Sequence, residues 1–245
     1  MNLILLRPGE LNADATAALS DVRAEHLLRV LKVAPGHQVR VGLLDGGTGT
    51  GTVTAVGQRT VDLRCEINRE APPRPAIDLL LALPRPKVMR RLWAQLAALG
   101  VGRIILTNAA RVERNYFDTH VLSPEFYEPL LIEGLQQARD TRLPNVSVHR
   151  QFRILVEDDL DGLFGHGLRL VADPSEGRRI STLAGEGDRV LLAIGPEGGW
   201  NSFELTLLQS RGFKGVAMGP RTLRSDTACI ALIALAHDAI RARAG

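Results

Sequence analysis

The chain has 245 residues, 45% hydrophobic and 23% charged, with a formal net charge of +3, a balance that fits folded globular domains and excludes fibrous, collagenous and disordered classes. Lysine occurs only at 32, 87 and 214, leaving 27 arginines among the 30 basic residues; a planar guanidinium pairs with phosphate through two hydrogen bonds, which admits a nucleic-acid partner, although GC-rich coding or adaptation to heat favours arginine equally. The two cysteines, Cys65 and Cys229, lie far apart and sit in apolar patterns, which suggests neither a metal knuckle nor a disulfide framework and fits a reducing compartment, and the absence of a charged leader or an apolar run of spanning length predicts a cytoplasmic protein.

The first seventy residues carry one helical pattern, Asp21 to Leu31, and then three alternating runs bounded by turn residues: Gln38 to Leu44, Gly51 to Val56 and Thr60 to Ile67. The glycine-rich stretch Asp45 to Gly51 resembles a phosphate loop in composition only. A phosphate loop feeds a helix whose amides face the anion, whereas this stretch feeds Val53 and Val56 in a strand pattern, so a hairpin turn is the better reading. Three prolines, Pro72, Pro73 and Pro75, interrupt 68–76 and mark a linker. The sequence therefore predicts two domains, 1–70 and 74–245.

Beyond the linker, apolar strands alternate with helices. The expected order is strand Ile77 to Leu83, helix Lys87 to Leu99, strand Arg103 to Thr107, helix Pro124 to Ala138, strands Leu168 to Ala172 and Arg189 to Ile194, helix Ser202 to Arg211, strand Gly215 to Met218 and helix Asp226 to Arg241. Such strands predict an α/β fold with a mainly parallel sheet covered on both faces, its ligand site at the strands' carboxyl ends.

Two loops at those ends are rich in glycine. Gly195-Pro196-Glu197-Gly198-Gly199-Trp200 leads into Asn201 and Glu204, which have the spacing of a reciprocal helix cap. Adjacent glycines let backbone amides approach a bound molecule, so either a small-molecule site or a plain tight turn is consistent with the local sequence. Gly219-Pro220-Arg221-Thr222-Leu223-Arg224-Ser225 ends at a helix start with Asp226 and Thr227 in its first turn. Two arginines beside a helix N-terminus suit an anion, while Asp226 suits a cap or a partner for Arg224. No nucleotide-binding lysine loop or dinucleotide glycine pattern is present, and none of the six histidines has metal-pair spacing, so no metal is expected.

Taken in order, three blocks carry a specific resemblance: His26-Leu27-Leu28-Arg29-Val30-Leu31 with Pro35-Gly36 and Leu44-Asp45-Gly46-Gly47; Ile194-Gly195-Pro196-Glu197-Gly198-Gly199; and Gly219 through Ala228. The chain resembles, over nearly its whole length, the RsmE family of 16S ribosomal RNA uridine N3-methyltransferases within the SPOUT, or trefoil-knot, superfamily. The resemblance implies an N-terminal PUA-like RNA-binding β-barrel and a C-terminal SPOUT α/β trefoil-knot domain that dimerises and binds S-adenosyl-L-methionine in the cytoplasm. Composition and periodicity carry no sign of a knot, since threaded chains are almost absent among folds.

Carried over position by position, the resemblance implies a cofactor site at Leu106, Thr107, Ile194, Gly195, Glu197, Gly198, Met218, Gly219, Leu223, Thr227 and Ala228. It implies catalytic roles for Arg224, which would stabilise the charge left on uracil when N3 loses its proton, and for Asp226, which stands where the family usually has Glu and holds Arg224 or accepts that proton. RNA contacts fall on Arg29, Lys32, Arg139 and Arg142. The chain departs from the family at Ala97-Ala98-Leu99-Gly100, where Thr-Glu-Leu-Gly is common, and at Gln136-Gln137-Ala138-Arg139-Asp140, where Glu-Gln-Ser-Gly-Arg is familiar. Besides an RNA methyltransferase, the sequence admits a non-catalytic ribosome-assembly factor of the same fold, a divergent enzyme acting on another RNA, and an unrelated nucleotide-binding enzyme.

Overall fold

The computed structural model describes residues 2–182, 188–219 and 221–244; Met1, 183–187, Pro220 of the second glycine loop and Gly245 lie outside the described residues. The chain forms two compact units, Met1–Arg74 with Ile132–Leu143, and Pro75–Leu131 with Pro144–Gly245.

The first unit is a curled sheet. It contains β1 (Ile4–Leu6), β2 (Thr16–Leu19), α1 (Val22–Arg29), β3 (Gln38–Leu43), β4 (Thr48–Val56) and β5 (Val61–Arg69), in the order β1-β3-β4-β5-β2. Only the β1–β3 pair is parallel. Alternation drives its core: Val41, Val53, Val61, Leu63 and Cys65 all turn inward to meet Leu19 and Leu27. Asp21 caps α1 through the Arg23 amide at 2.9 Å, and the helix stops short of the expected Leu31 as the chain enters the left-handed region at Lys32, φ +50°.

The stretch Asp45 to Gly51 contains a hairpin turn, but a tighter one than the sequence predicts, because β4 starts at Thr48. Gly49 and Gly51 are strand residues. Added Cβ atoms there would meet the Glu66 carbonyl oxygen at 1.8 Å and Val41 Cγ1 at 2.7 Å, so these glycines serve close packing. Within this unit Thr141 is fully buried and donates to the Gly46 carbonyl at 2.6 Å.

The second unit contains β6 (Ile77–Ala82), α2 (Pro86–Ala98), β7 (Val101–Thr107), the start of α3 (Pro124–Ala138), β8 (Asn145–His149), α4 (Phe152–Ile154), a π-helical turn (Leu155–Asp159), α5 (Leu160–Leu163), β9 (Leu168–Ala172), β10 (Val190–Ile194), α6 (Ser202–Ser210), β11 (Lys214–Val216) and α7 (Ser225–Ala244). All six strands are parallel, in the order β11-β9-β10-β6-β7-β8. Every residue of β6 and β10 is buried, as continuous apolar runs covered on both faces must be. β1, β2, β8 and the helical turns over 152–163 go beyond the elements that the sequence predicts; they are short, and β8 is a half-exposed edge strand without a clean alternation.

The pairing of β6 with β10 sets Leu81 beside Ile194, and that of β6 with β7 sets Ala82 beside Thr107. The carboxyl ends of β7, β6 and β10 therefore lie abreast, followed by those of β9 and β11. Asp78, at the opposite end of β6, is bridged by Arg189 at 2.8 Å, and burial pushes its carboxyl above the usual carboxylate range against the pull of Arg189 and Arg103.

Candidate functional site

At the carboxyl end of the second unit's sheet, Gly195 to Trp200 connects β10 to α6. The Gly199 amide donates to the Pro196 carbonyl at 2.8 Å, closing a turn, and Gly199 has φ +73°, a conformation that favours glycine. Gly195 packs tightly on Trp200, since a Cβ would lie 3.1 Å from the Trp200 amide nitrogen. Asn201 and Glu204 form the reciprocal cap that their spacing predicts: the Glu204 amide donates to Asn201 Oδ1 and the Asn201 amide to Glu204 Oε2, both at 2.8 Å.

Glu204 reaches further than a cap. It is only 3% exposed, and its second oxygen accepts the Ala110 amide at 2.6 Å. Arg111 adds a bond from its guanidinium to the Gly198 carbonyl. The loop after β7 is thereby clasped to the loop after β10. Trp200 packs against Phe152 with ring centroids 5.3 Å apart. The side-chain atoms Thr107 Oγ1, Asn108 Oδ1 and Trp200 Nε1 are buried with no hydrogen-bond partner among the described residues.

The second glycine loop follows β11. Gly219 has φ +122°, again a conformation suited to glycine. At the start of α7, Arg224 and Arg91 both donate to Asp226 Oδ2, at 2.9 and 3.1 Å. Asp226 also accepts the Thr227 amide at 2.9 Å. Burial opposes ionisation of Asp226, but the Thr227 amide and the two guanidinium groups outweigh it and hold the carboxyl below its ordinary value. The carboxylate side chain is 16% exposed, against 67% for Arg224 and 51% for Arg91, so the arginines present their remaining donors outward.

A cleft of about 630 Å³, including its solvent-open part, lies between the loops following β9, β10 and β11. Of the residues assigned to a ligand by resemblance, it is lined by Ile194, Gly195, Glu197, Met218, Gly219, Leu223 and Ala228. Leu106 and Thr107 are fully buried at the end of β7 and do not line it. Gly198 is not among the lining residues either: a Cβ there would lie 2.8 Å from Arg111 Cδ, and the positive φ of the glycine pair belongs to Gly199. Thr227 is exposed outside the lining. Asp173 and Pro174 line the cleft without having been marked by sequence reasoning, although their position just beyond β9 signals them. Arg91 escapes sequence reasoning because nothing local distinguishes it from its helix neighbours.

The four expected RNA contacts all belong to the first unit. Arg29 is exposed and paired with Glu25 at 2.7 Å one helical turn away, and Lys32 and Arg139 are exposed with positive φ. Arg142 instead braces the fold. Its Nε donates to the Pro72 carbonyl at 2.6 Å and its Nη1 to the Asp45 carbonyl at 3.0 Å. Burial pushes the thiols of Cys65 and Cys229 up, which removes both as nucleophiles. Among the described residues no group of three His, Cys, Asp or Glu is placed to hold a metal ion, and no helix is long and apolar enough to cross a membrane.

A family model described as an RNA methyltransferase domain matches residues 71–237. The ribosomal RNA small subunit methyltransferase E of Treponema pallidum is 29% identical over 97% of this chain and 92% of its own length. A protein of Borreliella burgdorferi, ribosomal RNA small subunit methyltransferase E 1, is 23% identical over 94% of this chain and 95% of its own. Among solved structures, the ribosomal RNA small subunit methyltransferase E of Neisseria gonorrhoeae, crystallised with S-adenosyl methionine, superimposes with a TM-score of 0.76 at 21% identity, covering 96% of this chain and 95% of that one. The likeness extends to the two-part fold, an N-terminal PUA-like half-barrel and a C-terminal SPOUT-type α/β domain.

Proposed function

The chain belongs to the RNA methyltransferase family, in its RsmE branch, and from that premise we propose that it transfers a methyl group from S-adenosylmethionine to N3 of one uridine in the 16S RNA of the small ribosomal subunit. The observation that carries this reading is a glycine-backed cleft beside the Arg224–Asp226–Arg91 cluster. The cleft suits the cofactor. Ile194, Met218 and Leu223 offer apolar walls, and the two loops offer backbone groups for polar edges. When bound, S-adenosylmethionine supplies an electrophilic methyl group on a sulfonium centre.

The chain's own residues deal with charge. Uracil N3 is a weak acid and must lose its proton before it can attack, leaving negative charge over N3 and the flanking oxygens. Arg224 meets that charge with guanidinium donors fixed in advance. Asp226 is a positioning residue: held below its ordinary pKa and bridged by two arginines, it is ionised near neutral pH and a poor proton store, so the proton leaves through water.

The RNA is held in part by the first unit, where Arg29, Lys32 and Arg139 are exposed. The protein works as a cytoplasmic homodimer, and α7 leaves the apolar side chains of Ile230 and Leu235 exposed for a second copy to cover. Incubation of the protein with S-adenosylmethionine and 16S RNA or small subunits from a deletion strain, followed by mass spectrometry of the nucleosides, should yield N3-methyluridine at one position. Methylation at a carbon, at ribose, or not at all would overturn the assignment.

A further inference from the structure

We propose that Arg40, Arg69 and Arg139 form a pocket on the first unit that binds the phosphodiester backbone of the substrate RNA. The proposal rests on the reading of RNA as substrate and assigns residues to it that neither motif nor resemblance marked as a group. Arg40 on β3 stands opposite Thr50 on β4, and Thr48 on β4 opposite Arg69 on β5. Alternation along β3 and β4 sends Val41 and Val53 into the core and turns Arg40, Thr48 and Thr50 to the outer face; the register shift between Thr48 and Gly49 breaks the alternation of β5 and brings Arg69 opposite Thr48, onto the same recess. Arg139 joins them from the end of α3.

With Asn68, Leu3 and Gly49, these residues line a recess of about 900 Å³, including its solvent-open part. Its lining contains guanidinium, hydroxyl and amide groups and no carboxylate. None of the three arginines has an ion pair among the described residues, whereas others in the same unit are neutralised: Arg23 by Glu10 and Asp21, and Arg29 by Glu25. Three like charges gathered without a counter-ion repel one another, and an anion seated among them removes that repulsion. Glu66 lies across from Thr50 in the sheet but outside the recess.

The backbone at Arg139 supplies an independent argument. Its φ is +61°, the left-handed position that follows a helix and that glycine or asparagine fills without strain. Arginine there carries a conformational cost, and closing the helix does not require its side chain. A purely structural role predicts that glycine would be better in every respect. A phosphate-binding role predicts that glycine stabilises the fold and weakens RNA binding.

The test uses the full chain and 16S RNA transcribed in vitro. Binding is measured across a salt series for the wild type, the triple variant R40Q/R69Q/R139Q and the single variant R139G, with the thermal midpoint recorded for each. Each phosphate deprived of its arginine should reduce the slope of log K against log salt by about 0.7, hence by about 2 for the triple variant. R139G should lower RNA affinity while its thermal midpoint stays or rises. An unchanged slope in the folded triple variant, or unchanged RNA affinity in R139G, overturns the pocket. Methyl transfer by the wild type is measured in parallel. If the wild type methylates and the triple variant keeps its slope, the pocket falls alone; if the wild type does not methylate yet the triple variant loses slope, the pocket stands and the proposed activity falls.

Discussion

Replacing Arg224 with alanine separates a catalytic role from a structural one, because the structure gives the two roles very different magnitudes. The Arg224–Asp226 pair is 2.9 Å long, but the arginine side chain is 67% exposed, and exposed pairs contribute roughly 0–1 kcal/mol to stability. Asp226 is not orphaned by the change, since it keeps Arg91 at 3.1 Å and the Thr227 amide at 2.9 Å. The thermal midpoint should therefore fall by no more than about 4 °C, given about 2–4 °C per kcal/mol for a chain of this size. The methyl-transfer step should instead slow by about a hundredfold to a thousandfold, about 2.7–4 kcal/mol, as when one preorganised donor to a developing anion is lost. Affinity for S-adenosylmethionine should barely change, because Leu223 and Ser225 line the cleft while Arg224 does not. Arg224→Lys should recover little of the rate, since an ammonium cannot reproduce the planar fork. Single-turnover transfer to 16S RNA at saturating cofactor, with calorimetry for cofactor affinity, measures both quantities. Near-normal transfer combined with weakened cofactor binding in Arg224→Ala would refute the assignment and move the residue into the cofactor site.

Asp226→Asn tests the carboxylate's part: a carboxyl held below its ordinary pKa stabilises the fold above the unfolded value, near pH 4, and that stability is lost as pH falls through the lowered folded value, so the variant should flatten the acid limb of the stability curve and leave the shape of the rate profile between about pH 6 and 9 unchanged. A rate profile that loses an inflection would make Asp226 the base. Gly199→Ala should strain a backbone held at φ +73° by about 1–2 kcal/mol and weaken cofactor binding measured by calorimetry; equal affinity and stability would show the turn to be tolerant. Glu204→Gln leaves one carbonyl oxygen for two amides, those of Asn201 and Ala110, and should cost about 1–3 kcal/mol in urea denaturation, with no loss counting against the clasp between the two loops.

The elements legible in the sequence are those whose signal is local. The apolar runs of β6 and β10 declare a sheet buried on both faces, the spacing of Asn201 and Glu204 declares a helix start that the hydrogen bonds reproduce, and the glycines at 195, 199 and 219 lie at the strand ends where a ligand cleft forms. β1, β2 and β8 were not legible, because strands of three to five residues without strict alternation are stabilised by the neighbours they pair with. The resemblance marked Gly198 and Thr107 for the cleft, while the fold turns Gly198 toward Arg111 and buries Thr107.

What the sequence determined by itself is the alternation of strand and helix, the cap of α6 and the chemistry available in each loop, because propensity and periodicity act over a few residues. Only the tertiary structure decided which of those chemistries meet. Arg91 and Asp226 are 135 positions apart, Ala110 and Glu204 are 94, and Thr141 and Gly46 are 95. Their encounters follow from the order of strands and the packing of helices, a cooperative outcome of burying apolar surface across the whole unit, and no short stretch of sequence encodes it.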